Sequence, residues 1–160
     1  MNTDRTPNPN VPPTVADAFV AYMRNHDFIL DYSMRSLTDM FDRILDLPLL
    51  QSNSVLPVMV HGDEMQFDIN SAASAYLGET ISRIYDGTWA GHFNTESIVN
   101  FYTSKITFGD YCLNPIAWLS YRVTNGREEG SVEDWLSRVT PSFEARKDLT
   151  PKTGFIEDIY

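Results

Sequence analysis

DINSAASAYLGETISRIYDGTW, residues 68–89, decides how the rest of the chain is read. Asp68 is a good N-cap, because its carboxylate can accept hydrogen bonds from the free N–H groups of a first helical turn, so a helix is expected from Ile69. Ile69, Ala73, Tyr76, Leu77, Thr80 and Ile84 then share one side at helical spacing, which marks the core face. Ala72, Ala73 and Gly78 are small enough to let another element approach the backbone. Gly78 lowers helix propensity by about 1 kcal/mol relative to alanine, a penalty that calls for a packing reason. Glu79 and Arg83 are four apart in the favourable order and read as a surface ion pair. Gly87 is expected to close the helix in a left-handed conformation, and Trp89 to open a strand.

Outward from this stretch, 160 residues suit one domain with its own core, and 42% hydrophobic content is ordinary for a globular protein. The proline-rich residues 1–13 read as a disordered lead-in, 14–141 as the folded unit and 142–160 as a polar tail whose apolar end docks on the domain or on a partner. The single cysteine, Cys112, allows no internal disulfide. With no secretory pattern at the start and no long apolar run, the expectation is a cytoplasmic chain that does not enter a membrane.

Net charge is −10, which disfavours nucleic acid and anionic lipid and favours a basic partner. Nine acids against two bases lie between Asp27 and Glu79. A helix is expected over 28–47, with Leu30, Met34, Leu37, Phe41, Ile44 and Leu45 on its core side and Asp31, Asp39, Asp42 and Asp46 in a stripe on another. The plain reading of that stripe is a solvated face; the functional one is a docking strip for a basic surface. Val55–Val60 reads as a short strand. His61, Gly62, Asp63 and Glu64 form a turn-like cluster that lacks the further ligands a metal site needs, so neither metal nor cofactor is expected.

A first helix is expected from Thr14, carrying Val15, Phe19, Tyr22 and Met23. After the central helix, Trp89–Phe93, Ser97–Tyr102 and Ile106–Tyr111 alternate as strands of an antiparallel meander. Asn114 caps a helix with Pro115 at its first position, ended by Asn125-Gly126. Ser131 and Asp134 form a capping box for a last helix, which Pro141 should end. The fold class is therefore α+β, amphipathic helices packed on a small three-stranded antiparallel meander.

No nucleophile elbow, phosphate-binding loop, dinucleotide fingerprint or zinc-protease motif occurs, so no catalytic residue is assigned. The motifs AYLGE (75–79), GTW (87–89), FGDYCLNP (108–115) and RVTNG (122–126) resemble those of small bacterial cytosolic domains in which an L-G-E helix leads into a G-x-W strand. The chain also looks like the immunity proteins encoded beside interbacterial toxins, which are small, acidic and without catalytic motifs. That resemblance implies an α+β domain that binds and blocks a toxin, and it carries over no site residue. The leading expectation is thus an immunity or antitoxin-like protein that occludes a basic toxin domain through Asp31, Asp39, Asp42, Asp46, Asp63 and Glu64. Two rivals stay open: a scaffold or homo-oligomer using the aromatic strands, and a small enzyme or ligand-binding domain using His61, Asp63, Glu64 and His92.

Overall fold

Helix α3 (Ile69–Tyr85) lies at the centre of the computed structural model, which describes residues 11–91, 104–146 and 157–159. It starts where the sequence places it, but it is buried nearly all round: Ile69 and every residue from Ser71 to Ser82 are inside. Its small residues make this feasible, because alanine, serine and glycine let neighbours close in on every side. Its buried hydroxyls are satisfied locally, Ser74 donating to the Ser71 carbonyl at 2.8 Å and Thr80 to that of Tyr76 at 2.8 Å. The packing reason for Gly78 is explicit. A Cβ there would sit 2.5 Å from the Trp89 ring and 2.8 Å from Ile106 Cδ1.

Helix α1 (Val11–Arg24) packs along α3 and begins three residues before Thr14, with Pro12 and Pro13 in its first turn, where a missing N–H does no harm. The expected helix over 28–47 is shorter and differently wound. Asp27 and Tyr32 adopt left-handed backbone (φ 67° and 62°), so no helix runs through them. Helix α2 (36–44) follows, π-wound over Ser36–Phe41 and α-wound over Asp42–Ile44, with Ser33 Oγ accepting the Ser36 N–H at 3.0 Å. A short 3-10 turn (Pro48–Gln51) leads to strands β1 (Val55–Val60) and β2 (Asp63–Asp68), an antiparallel hairpin whose inward Leu56, Val58, Val60 and Phe67 are buried.

Beyond α3, strands β3 (Thr88–Gly91), β4 (Ser104–Phe108) and β5 (Tyr111–Leu113) form an antiparallel meander, and β6 (Glu157–Ile159) pairs parallel to β5. The fold is α+β, as the residue pattern requires. The expected strand 106–111 is instead interrupted by a turn at Gly109-Asp110, and the expected strand Ser97–Tyr102 lies outside the described residues. Helix α4 (Pro115–Asn125) is capped by Asn114, whose side chain accepts the Ala117 N–H at 3.3 Å. Helix α5 (Val132–Arg146) has the reciprocal Ser131/Asp134 box at 3.0 and 3.1 Å, and it continues through Pro141 instead of ending there. Trp118 and Trp135 stack at 4.8 Å between α4 and α5.

Two local assignments change. Asp68 occupies the N-cap position of α3, yet its side chain makes no capping hydrogen bond, and burial raises its carboxyl above the ordinary value. The left-handed residue at the end of α3 is Asp86 (φ 57°), not Gly87. Gly87 is required for a different reason, since a Cβ there would lie 2.5 Å from both Ile106 Cγ2 and the Phe108 ring.

Candidate protein-docking surface

The four aspartates of the expected stripe divide into two pairs. Asp42 is buried, whereas Asp46, in the turn after α2, is exposed; both face the guanidinium groups of Arg122 and Arg127. Arg122, fully enclosed on α4, has Nη1 2.8 Å from Asp46 Oδ1 and Nη2 3.6 Å from Asp42 Oδ1. Arg127 spans the outer side, 2.9 Å from Asp42 Oδ2 and 2.8 Å from Asp46 Oδ2. Asp42 Oδ1 also accepts the Val132 N–H at 2.9 Å, so this carboxylate ties the start of α5 to α2. A hydrogen bond and the positive charge of Arg122 hold the Asp46 carboxyl below the usual range. Two acids and two bases thus pair with one another, Asp42 and Arg122 enclosed and Asp46 and Arg127 at the surface, so Asp42 is not displayed as a docking charge and Asp46 is already paired with two arginines.

Asp31 and Asp39 remain at the surface. Asp31 precedes the helix and accepts both the N–H and the hydroxyl of Ser33, at 3.0 and 2.5 Å, which keeps its carboxyl below the ordinary value. Asp39 pairs with Arg35 at 3.3 Å in an exposed i,i+4 contact, a type worth only about 0.3–0.5 kcal/mol. Together with Ile29, which is 57% exposed, and Met40 they line an open groove of about 290 Å³.

Glu79 is not the surface residue its spacing implied. Its side chain is 9% exposed, and burial lifts its carboxyl above the usual range despite Arg83 Nε 3.5 Å away. Arg83 lies 3.7 Å over the Tyr32 ring, and the Tyr32 hydroxyl donates to Asp17 at 2.6 Å. The Tyr76 hydroxyl accepts the Tyr32 N–H at 3.1 Å and shares a hydrogen bond with Ser36. These groups satisfy one another and fasten α1 and the segment before α2 to α3.

Asp63 and Glu64 open β2, after a His61-Gly62 turn whose two residues both have positive φ (52° and 87°), the two-residue geometry that matches strand twist. Successive strand residues point to opposite faces, so Asp63 and Glu64 diverge and His61, in the turn, does not join them around one point. Among the described residues no three His, Cys, Asp or Glu side chains converge as metal ligands. His92 lies outside the described residues. The outer face of the hairpin pairs Val55, Pro57 and Met59 with Asp68, Gln66 and Glu64 respectively, and Met59 and Val55 are 58% and 41% exposed. No Lys or Arg occurs between Arg43 and Arg83, so nothing on this hairpin offsets its acids.

No family model, curated protein or solved structure matches the chain. Among the described residues, no helix is long and apolar enough to cross a membrane. Of the aromatic residues on the expected interface strands, Trp89 and Phe108 are buried and Tyr111 is half-buried; Phe93, Phe101 and Tyr102 lie outside the described residues.

The residue that the sequence reading passed over is Arg122. It stands three and four positions after Leu119 and Trp118, on the same side of α4 as those buried residues. A cation on an apolar helix face demands a buried carboxylate, and that spacing was the available signal.

Proposed function

We propose that this chain binds and neutralises a basic protein by occluding it, in the manner of an immunity or antitoxin protein, and that it acts as a binder rather than a catalyst. The observation that carries this reading is the outer surface of the β1–β2 hairpin. There exposed Met59 stands opposite exposed Glu64, and exposed Val55 lies farther along the same face, in a stretch of chain without a single Lys or Arg. Such a surface combines the two ingredients of a fast and stable association: charge that steers an oppositely charged partner, and apolar anchors that are desolvated on contact. The groove between Asp31 and Asp39, flanked by Ile29 and Met40, has the same composition on a smaller scale.

The test is co-expression of the chain with the product of an adjacent reading frame, followed by capture at low and then high salt and by growth of cells carrying either or both. The expected result is one basic partner, held at low salt, whose toxicity the chain suppresses. A neighbouring product that is neither captured nor antagonised overturns the reading.

A further inference from the structure

The ladder of the β1–β2 hairpin fixes which backbone groups face outward. Ile69 N–H donates to the Ser54 carbonyl at 3.0 Å, and this pair belongs to the same register as Leu56↔Phe67, Val58↔Met65 and Val60↔Asp63. In an antiparallel pair, hydrogen-bonded and non-hydrogen-bonded positions alternate. Val55↔Asp68, Pro57↔Gln66 and Met59↔Glu64 are therefore the non-hydrogen-bonded pairs, and their N–H and C=O groups point away from the partner strand, toward the two outer edges.

Those edges are not equivalent. On β1 the central outward position is Pro57, which has no N–H to offer, and α1 packs against the same strand. On β2 the outward positions are Glu64 and Gln66, each with both a donor and an acceptor, and Asp68, whose carbonyl belongs to the first turn of α3; among the described residues no further strand pairs with β2. An open edge of this kind is a template for an added strand. The side chains at those positions choose what can be added. A second copy of the chain joined edge to edge would bring one row of acids against another, which like-charge repulsion opposes. An extended segment with Lys or Arg at alternate positions would meet the exposed Glu64 with opposite charge.

We propose that the outer edge of β2 is where the partner docks, by adding a basic extended strand whose backbone pairs with Glu64 and Gln66. This rests on the basic-partner reading above and names the surface and the chemistry of the segment it takes.

The probe is a synthetic peptide of alternating lysine and valine, about six residues long to match β2, added to the full-length chain and followed by amide NMR shifts. A second form of the peptide is N-methylated at alternate residues, on the edge that would face β2, so that it keeps its charge but cannot pair. The expected result is shifts centred on the Glu64 and Gln66 amides. Affinity should fall about tenfold on N-methylation, the equivalent of one backbone hydrogen bond, and similarly for Gln66→Pro and Glu64→Lys. Gln66→Pro mirrors Pro57 across the ladder, leaves the β1–β2 hydrogen bonds intact and is checked by its own amide spectrum; Glu64→Lys tests the edge through charge alone.

Equal affinity for the two peptides, shifts centred on the Asp31–Asp39 groove, or no binding would each overturn the edge assignment. So would a concentration-dependent dimer of the chain alone that Gln66→Pro abolishes, because the occupant would then be a second copy. Failure of the peptide in a chain that still suppresses its neighbour's toxicity defeats the edge and leaves the basic-partner reading standing; failure of suppression defeats that reading itself.

Discussion

Replacing Asp42 with alanine should be among the most damaging single changes on the acidic side of this protein, although by position it reads as a surface aspartate. The carboxylate is 8% exposed and accepts from Arg127 at 2.9 Å and from the Val132 N–H at 2.9 Å, with Arg122 at 3.6 Å. Its removal leaves Arg122, which is 0% exposed, with Asp46 as its only paired acid, and strips the start of α5 of its acceptor. Breaking a buried ion pair in this way costs about 3–5 kcal/mol. Against a typical domain stability of roughly 5–15 kcal/mol that is a large share. Urea denaturation is the assay: with a slope of about 2 kcal/mol/M, the midpoint should fall by about 1.5–2.5 M at unchanged slope. Arg127→Ala makes the internal comparison. Its side chain is 57% exposed and its loss leaves both acids facing Arg122, so the expected change is only about 1 kcal/mol. The double replacement Asp42→Leu with Arg122→Met should recover much of the loss, because no charge is then left buried and unpaired. An Asp42→Ala midpoint no lower than that of Arg127→Ala would refute the reasoning and return Asp42 to the surface.

Gly78→Ala should destabilise despite its gain in helix propensity, because the new methyl meets Trp89 at 2.5 Å and overpacking of this kind costs about 1–3 kcal/mol; a raised thermal midpoint would contradict it. Glu79→Gln should gain stability relative to wild type as pH rises. Burial holds the Glu79 carboxyl above its ordinary 4.5, so its favourable contribution is complete below that value and disappears as pH climbs through the raised one. Denaturant midpoints of the two proteins across that range decide it, and parallel curves would show that Arg83 offsets the burial. Asp46→Asn should act in the opposite direction: the lowered Asp46 carboxyl contributes above its ordinary 3.8 and loses that contribution as pH falls through the lowered value, so the variant should show a shallower acid transition. With the cognate partner in hand, Glu64→Lys should slow association and flatten its salt dependence, and stopped-flow rates unchanged by the substitution would remove Glu64 from the docking surface.

The parts of the fold that were legible in the sequence are those whose causes are local. Asn114-Pro115 and the Ser131/Asp134 box are satisfied by groups within one helical turn, and both sit where the residues place them. The start of α3 was legible for the same reason, although Asp68 holds its position without the expected hydrogen bond. What was not legible depended on residues far along the chain. The choice between Asp86 and Gly87 for the left-handed position could not be made from an Asp-Gly pair, since both types tolerate it; the Phe108 ring decides which must lack a side chain. Glu79 and Arg83 have the spacing of an exposed pair, yet the carboxylate is inside while Arg83 lies over the Tyr32 ring, a contact with a residue far from it in sequence.

The acidic stripe is split, with Asp42 buried, for a reason that also bears on the docking surface proposed at the hairpin. Counting 100° per residue from Phe28 assumes one uninterrupted α-helix, whereas the chain passes through left-handed Tyr32 and then takes an extra residue into each turn over Ser36–Phe41. Each departure rotates the residues after it. Asp42 and Asp46 thereby leave the side shared by Asp31 and Asp39 and turn toward α4, where Arg122 awaits them. The net charge of the chain is unaffected, but its display changes: Asp42 and Asp46 are paired with two arginines, and Asp31 and Asp39 share their groove with Arg35. The hairpin carries no Lys or Arg of its own. Its rigid two-residue turn and its ladder hold Glu64 outward beside exposed Met59, with the backbone edge of β2 alongside, so charge, apolar contact and unpaired peptide groups coincide there. Where a binding surface must both attract a basic chain and hold it in one register, that coincidence favours the hairpin over the helix.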